Sequence, residues 1–424
     1  MNLFSYQWAA RCLAPLAFAL LWWRGRGDPA YRDALGERWG NISPPQTSGQ
    51  WVWLHAASVG EVRAAVPLIT GLLAAGHSLH ITTNTPTGRT AVAEQFGNQV
   101  RQSYPPFDTP QAVNRFLDRL HPIAAIRVEL ELWPTLLASL QARDIPIALV
   151  NARLSERSLR RYQRLGGVLS ERMARISWVG AQTKADADRL IALGVAHSHL
   201  DITGSLKFDQ PINPEQVSAG QQLRHRIGAE RPVWVAASVR EGEAQSVLAA
   251  HAMLCKRIPD ALLILVPRHP ERFVLPSLPA YGGADAVVYR TKASPITRAT
   301  SILFADTMGE LSVFLAAADI AFVGGSLVAV GGHNPLEPAA LGLPVLMGPH
   351  VVNFAQVDRL LGEAGARYRV VDARSLATTL ENLLTDAPAR QAAGVQAQAV
   401  VEQHRGACKK TLTQLTDRLG LITK

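Results

Sequence analysis

The chain has 424 residues, 48% hydrophobic and 18% charged, which is long enough for two or more cores and excludes a disordered tail. Its formal net charge of +9 calls for an anionic partner: a nucleic acid, a headgroup surface or a phosphorylated substrate. The cysteines Cys12, Cys255 and Cys408 lack a CxxC pair and the histidines lack HExxH, so neither a disulfide framework nor a metal is expected. The first element, Trp8 to Trp23, is apolar except for Arg11 and is followed by Arg24 and Arg26. It falls short of the roughly 20 residues of a usual bilayer span. The Trp22–Trp23 pair and the arginines fit an interfacial belt with its positive side cytoplasmic. Bulky Trp residues at the end of the run argue against a cleaved signal. A membrane anchor over residues 1–27 is expected, spanning or lying in the interface, with a buried helix as the alternative. Its removal is expected to leave the fold intact.

From residue 51 short apolar runs alternate with helical patterns. Strands are predicted at "WVWLHAA" (51–57), "LHITTNT" (79–85), "AAIRVEL" (124–130), "IPIALVNA" (145–152), "ISWVGAQT" (176–183) and "LDITG" (200–204). "FDQPINPEQ" (208–216) reads as a linker. A second set follows at 232–238, 261–267, 286–290, 301–306, 320–326 and 344–348, and a long helical pattern runs from about Ala387 to Asp417. The fold class is α/β, with two doubly wound domains facing across a cleft. The expected division is 28–207, a linker 208–218, 219–390, and a terminal helix 391–424. Ligands of such sheets bind at the carboxyl ends of the strands.

Polar residues at those ends repeat one form. "SVGE" (58–61), "SVRE" (238–241), "TMGE" (307–310) and "NPLE" (334–337) each place a cap residue three before a Glu. Each is a helix-capping box on its own terms. For "GGHNPLEP", Asn334 is the expected cap, Pro335 the first helical residue and Gly342 the stop. The same stretch also suits a phosphate seat, because glycines admit close backbone approach and a helix start offers N–H groups. Glu241 is left as a cap only. Glu61, beside Ser58 and Gly60, is placed to accept a proton from a hydroxyl. Glu129 and Glu131 share a face if the chain stays extended, and an ion pair with Arg127 or Arg153 is the plain alternative. Arg268 and His269 follow a strand and suit a phosphate. Lys207 sits between the two halves. Neither GxGxxG after the first strand nor GxxxxGK[ST] is present, which counts against a dinucleotide oxidoreductase and a P-loop ATPase. The basic residues are dispersed without aromatic interleaving, so no nucleic acid is expected.

"GERWG", "WLHAASVGEV", "RVELELWP", "LVNARLSERS", "TGSLKFD", "LVPRHPER", "FVGGS" and "GGHNPLEP", in this order, resemble the 3-deoxy-D-manno-octulosonic acid (Kdo) transferases of lipopolysaccharide synthesis. The resemblance implies a GT-B fold, CMP-Kdo as donor, a lipid A precursor as acceptor, inversion at the anomeric carbon and no cofactor. It also implies a place at the cytoplasmic face of the inner membrane, on an anionic surface. It places the general base on Glu61, the acidic strand-end site on Glu129 with Glu131 close by, and a cation on Lys207. It places the CMP site on Arg268, His269, Met308, Gly309, Glu310, Asn334 and Glu337. Ser238, Gly325 and Ser326 are further cleft residues by position. The chain departs from the common pattern at Ala237 (usually Gly), Arg240 (usually His) and Ser205 (usually Asn). The alternatives are another GT-B enzyme using a UDP-sugar and a membrane lipid, or a non-catalytic membrane-bound nucleotide-binding protein.

Overall fold

The structure is a computed structural model describing residues 2–45, 49–164, 166–273, 286–292 and 294–421. The chain forms two compact units, residues 1–210 with 404–424, and residues 211–403. The first holds a seven-stranded, all-parallel sheet. Its strands are β1 (Trp51–His55), β2 (Ser78–Thr82), β3 (Arg101–Ser103), β4 (Pro122–Val128), β5 (Ile147–Ala152), β6 (Trp178–Ala181) and β7 (Leu200–Ile202), ordered β3-β2-β1-β4-β5-β6-β7. Alternate residues feed opposite faces. Trp53, Ala125 and Leu149 enter one core, while Val52, Leu54, Ala124 and Ile126 enter the other. Cover on both faces is why these strands read as continuous apolar runs.

The second unit repeats the plan with β8 (Val233–Val239), β9 (Leu262–Pro267), β10 (Val287–Tyr289), β11 (Ile302–Phe304), β12 (Ile320–Val323), β13 (Val345–Met347) and β14 (Arg367–Arg369), ordered β10-β11-β9-β8-β12-β13-β14. The strand order reverses beside β1 in one sheet and beside β8 in the other, so the crevices lie at the ends of β1 and β4 and of β8 and β12.

Two expected elements differ. The supposed linker becomes helical at Pro214, because Asn213 Oδ1 accepts from the amides of Glu215 and Gln216. The long terminal helix is two, Ala387–His404 and Ala407–Leu419, broken at Gly406, whose φ of +99° favours glycine. Residues 422–424 of the expected helix lie outside the described residues. The second of these helices returns to the first unit, where Ala407, Leu415 and Leu419 enter the core. Asp209 holds it there, accepting from Gly406 N at 2.6 Å and Cys408 N at 2.6 Å.

The N-terminal segment is a helix, Leu3–Arg24. Among the described residues no helix is long and apolar enough to cross a membrane. This helix is docked by one side. Tyr6 hydrogen-bonds Asp108, which also accepts from Thr135 N and Leu136 N and so starts the helix Pro134–Gln141. Ala14 is buried and Phe18 meets Trp39 at 6.0 Å. Phe4, Trp8, Leu13, Leu16, Leu20 and Trp23 are left half or more exposed. Deleting the segment would orphan part of a buried carboxylate, so substitution of its outer side tests its role more cleanly than truncation.

Asp209→Ala leaves two half-buried amides without their acceptor, and a loss of about 1–2 kcal/mol is expected. Urea denaturation reads the loss, and proteolysis should then cut near Arg405; an unchanged midpoint would show that the amides find other partners.

Candidate active site

The first unit's crevice is built from a hydrogen-bonded chain. Trp53 Nε1 donates to Thr82 Oγ1 at 2.9 Å, and Thr82 bonds His55 Nδ1 at 2.8 Å. His55 Nε2 lies 2.9 Å from Glu131 Oε2, and Asn84 Nδ2 donates to both oxygens of Glu131. A carboxylate only accepts, so the proton sits on His55 Nε2, and Nδ1 accepts from the threonine hydroxyl. Burial and nearby Arg127 push the His55 pKa down to about 4, which keeps the ring neutral at pH 7. The buried Arg127 donates from Nε to the Glu131 carbonyl at 3.0 Å and stacks on Trp133 at 4.5 Å. Despite the burial of Glu131, the His55 hydrogen bond, the Arg127 charge and the Asn84 hydrogen bond hold its pKa below the usual value.

Glu129 stands outside this network. Its φ is +59°, its amide donates to Val150 O, and β4 ends at Val128. The chain is therefore not extended here, and the argument that placed Glu129 and Glu131 on one strand face does not hold. The pairing of Arg127 with this stretch goes to Glu131 instead, at 3.8 Å.

Glu61 lies in the first turn of the helix Val59–Ala74, capped by Ser58. Its Oε2 accepts from Ala57 N at 2.8 Å and its Oε1 from Ser58 Oγ at 3.0 Å. Against these two bonds stand burial and the like charges of Glu129 and Glu131, and the pKa rises to about 7. A Cβ on Gly60 would meet nothing nearer than Ser58 Oγ at 3.8 Å, so packing does not demand glycine there. Lys207 lies in the turn Leu206–Asp209. That turn packs on the helix carrying Glu61, where Gln210 donates to Arg63 O.

In the second unit the residues after β8, β9, β11 and β12 gather at the carboxyl edge. Arg268 and His269 directly follow β9, and Arg268 N donates to Val239 O. His269 Nδ1 is 3.5 Å from Glu271 Oε1. Glu310 itself takes the cap position of the helix Leu311–Ala316, so Thr307 is not the cap expected there. It accepts Thr307 Oγ1 at 2.6 Å and both Arg290 Nη2 and Nε at 2.7 and 3.2 Å, and Arg290 lowers its pKa. Gly309 has φ +83° with open space around it, and Met308 is exposed. At "NPLE" the helix is short, Leu336–Ala340, with Pro335 in the cap position. Asn334 Oδ1 accepts from Leu336 N at 3.1 Å, and Asn334 Nδ2 donates to Glu337 Oε1 at 3.2 Å. Glu337 thus bonds the Asn334 side-chain amide. The close approach predicted for Gly331–Gly332 occurs within the protein, to Asn353 and His350.

Two expectations at the other turn also change. At "SVRE" the helix Glu241–Cys255 is capped at Arg240, and the acid that reaches back to the cap amide is Glu243, at 3.1 Å. Glu241 is exposed, and Ser238 instead takes a left-handed φ of +56°. Gly325 N and Ser326 N both donate to Glu243, while the Ser326 hydroxyl donates to Val323 O and accepts from Gly348 N. These groups are already engaged. Sequence reasoning missed His55, Asn84, Glu243 and His333; "REGE" carried the signal for Glu243, since Arg240-x-x-Glu243 has the cap spacing. His333 lies close enough to Arg240, Arg268 and His269 that their charges, added to burial, lower its pKa to about 4.

Among the described residues no group of three or more His, Cys, Asp or Glu side chains is arranged to hold a metal ion. The first unit offers a proton acceptor of near-neutral pKa; the second offers clustered cations.

Glu61 is expected to titrate near pH 7 by carboxyl carbon NMR. Glu129→Gln removes one of the two like charges that raise it, so its pKa should fall; an unmoved titration would break the coupling. Because the folded pKa lies above 4.5, the contribution of this group to stability is full below pH 4.5 and lost as pH rises through about 7. The stability of Glu61→Gln relative to the parent should therefore increase over that window.

A family profile described as 3-deoxy-D-manno-octulosonic-acid transferase matches residues 33–210. The chain is 40% identical over 395 residues to the 3-deoxy-D-manno-octulosonic acid transferase of Haemophilus influenzae, covering 92% of each chain. It is 38% identical over 435 residues to that of Bordetella pertussis, covering 98% of this chain and 99% of the relative. A glycosyltransferase structure from Rickettsia africae is similar with a TM-score of 0.56 over 88% of this chain and 99% of that one, at 11% identity, which bears on fold alone. Two parallel-sheet units and that likeness make this a GT-B fold. At these identities and coverages, the chain belongs to the 3-deoxy-D-manno-octulosonic acid transferase family.

Proposed function

We propose that the protein transfers Kdo from CMP-Kdo to a hydroxyl of a phosphorylated lipid A precursor, with inversion. The observation that carries this reading is Glu61: a carboxylate at the strand-order reversal, its pKa lifted to about 7. A base with that pKa is ionised enough to work at neutral pH and basic enough to take a proton. The acceptor O–H gives its proton to Glu61 as its oxygen bonds the anomeric carbon. The bond from that carbon to the phosphate oxygen breaks, and CMP departs with the electron pair. Arg268, His269 and the turns at Met308–Glu310 and Asn334–Glu337 hold the nucleotide in this reading. Lys207 supplies the cation for the Kdo carboxylate, and Glu129 stands beside the base. Charge on the leaving group is met by side chains, and the scheme needs no cofactor.

Two features support a phosphorylated lipid acceptor. Arg153, Arg157, Arg160, Arg161 and Arg164 are all exposed around the helix Glu156–Gln163, whose Tyr162 hydroxyl reaches Leu130 O between Glu129 and Glu131. The exposed apolar side of Leu3–Arg24, flanked by exposed Arg11, Arg24 and Arg26, suits an anionic membrane surface with the helix lying in the interface. We place the protein on the cytoplasmic side of the inner membrane.

Incubation with CMP-Kdo and a tetraacylated, bisphosphorylated disaccharide, read by mass, is expected to show Kdo addition with matching release of CMP. Product from a UDP-sugar and none from CMP-Kdo would overturn the donor. Glu61→Gln should lower turnover by at least about 100-fold while CMP still binds; near-normal turnover would remove Glu61 as the base. Replacing Trp8, Leu16 and Trp23 with Glu should release the protein from anionic vesicles in flotation, with its melting temperature retained. Flotation equal to the parent's would place the membrane contact elsewhere.

A further inference from the structure

The loop after β12 turns three successive amides, Gly325, Ser326 and Leu327, onto one point. Such a cradle of backbone N–H groups is a ready anion site. In this chain it is filled from within. Glu243, fully buried, accepts from Gly325 N at 2.6 Å, Ser326 N at 2.9 Å and Leu327 N at 2.8 Å, and from Arg240 N at 3.1 Å. The fit is tight: a side chain on Gly324 would run into the Ser238 backbone, and one on Gly325 into the His333 ring. A phosphate could take those amides only by expelling a buried carboxylate.

The same clamp fixes a cation at the crevice. Gly332 N donates to Gly325 O at 2.7 Å and His333 N to Gly324 O at 3.0 Å, so the clamped loop carries His333 with it. Arg240 Nε donates to His333 Nε2 at 3.3 Å. The ring must then carry its proton on Nδ1, and the guanidinium plane is set by it. Among the described residues no hydrogen bond engages the terminal nitrogens of Arg240. Arg268 and His269 stand near enough to act on His333 electrostatically, so all four residues share one neighbourhood.

We propose that the phosphoryl group of the nucleotide is gripped by the terminal nitrogens of Arg240, aimed by His333, and that Glu243 closes the glycine-loop amides to it. Arg240 is thus a binding residue, while Glu243 and His333 are positioning residues. This rests on the CMP-donor reading and adds to it the group that recognises the phosphate. A planar guanidinium offers two parallel N–H groups to phosphate oxygens, which a lysine or a histidine at this position cannot.

The test uses the intact protein with CMP and with cytidine, which lacks the phosphate. Arg240→Ala should weaken CMP by about 10- to 100-fold and leave cytidine unchanged, and Arg240→Lys should recover only part of the loss. Glu243→Gln, which turns an amide NH2 toward two of the four N–H donors in either orientation, should weaken CMP with Arg240 present, and Glu243→Asp should restore part of it. Should Glu243→Gln not fold, hydrogen exchange on the parent protein decides. The amides of Gly325, Ser326 and Leu327 should be protected without ligand, and CMP should add nothing to them. Exposed amides that become protected only with CMP would overturn the assignment, as would CMP affinity within about twofold in Arg240→Ala. Failure of the parent protein to bind CMP would defeat the donor reading and this assignment with it. Binding that Arg240→Ala retains would defeat this assignment alone.

Discussion

Carboxylates that accept backbone amides at the ends of strands and helices are what the loops of both units depend on. Asp108 starts one helix, Asp209 ties down the returning C-terminal helix, and Asp319 accepts from Val233 N at the head of β8. Glu61 accepts from Ala57 N, and Glu243 takes four amides at once. A parallel sheet leaves unpaired amides at its carboxyl edge, and leaving them buried without an acceptor is costly. An acid in the following helical turn is the shortest route to an acceptor.

The same residue type then serves different ends according to what surrounds it. Glu131 is wrapped by His55, Asn84 and Arg127, and its charge is held. Glu61 has two hydrogen bonds, considerable burial and two acidic neighbours, and its proton affinity rises. Glu243 is sealed in the amides of the glycine loop. Three carboxylates at comparable places in two similar sheets thus divide into a brace, an acid of near-neutral pKa and a clamp. Burial, neighbouring charge and hydrogen bonding set the division, the three causes that move any carboxyl pKa.

Much of this was legible in the sequence. Twelve apolar runs mark twelve of the strands, most plainly the central ones, which are covered on both faces and therefore largely apolar. The two that escaped, β3 and β14, are three-residue edge strands reading Arg-Gln-Ser and Arg-Tyr-Arg, and charge on a short edge strand erases the apolar signal. The position of Glu61 was readable from Ser-Val-Gly-Glu, since a cap residue and an acid three later are a local pattern. The separation of Glu129 from Glu131 was not, because it turns on a left-handed residue that is not glycine. The spacing Arg240-x-x-Glu243 marks Glu243 as the cap's partner, but not its hold on the glycine loop, because those three amides lie more than eighty residues away. The break at Gly406 is hidden in a pattern whose helical period continues on both sides of it.

In the proposed reaction a desolvated acid at the end of the first sheet's leading strand, Glu61, takes the acceptor's proton. The pH dependence of kcat/KM for Kdo transfer tests it most directly. A rising limb with an apparent pKa of about 7 is expected, the value to which burial and two acidic neighbours lift Glu61. A limb at the ordinary carboxylate value, or a rate that stays flat from pH 5 to 8 while chemistry is rate-limiting, would contradict it.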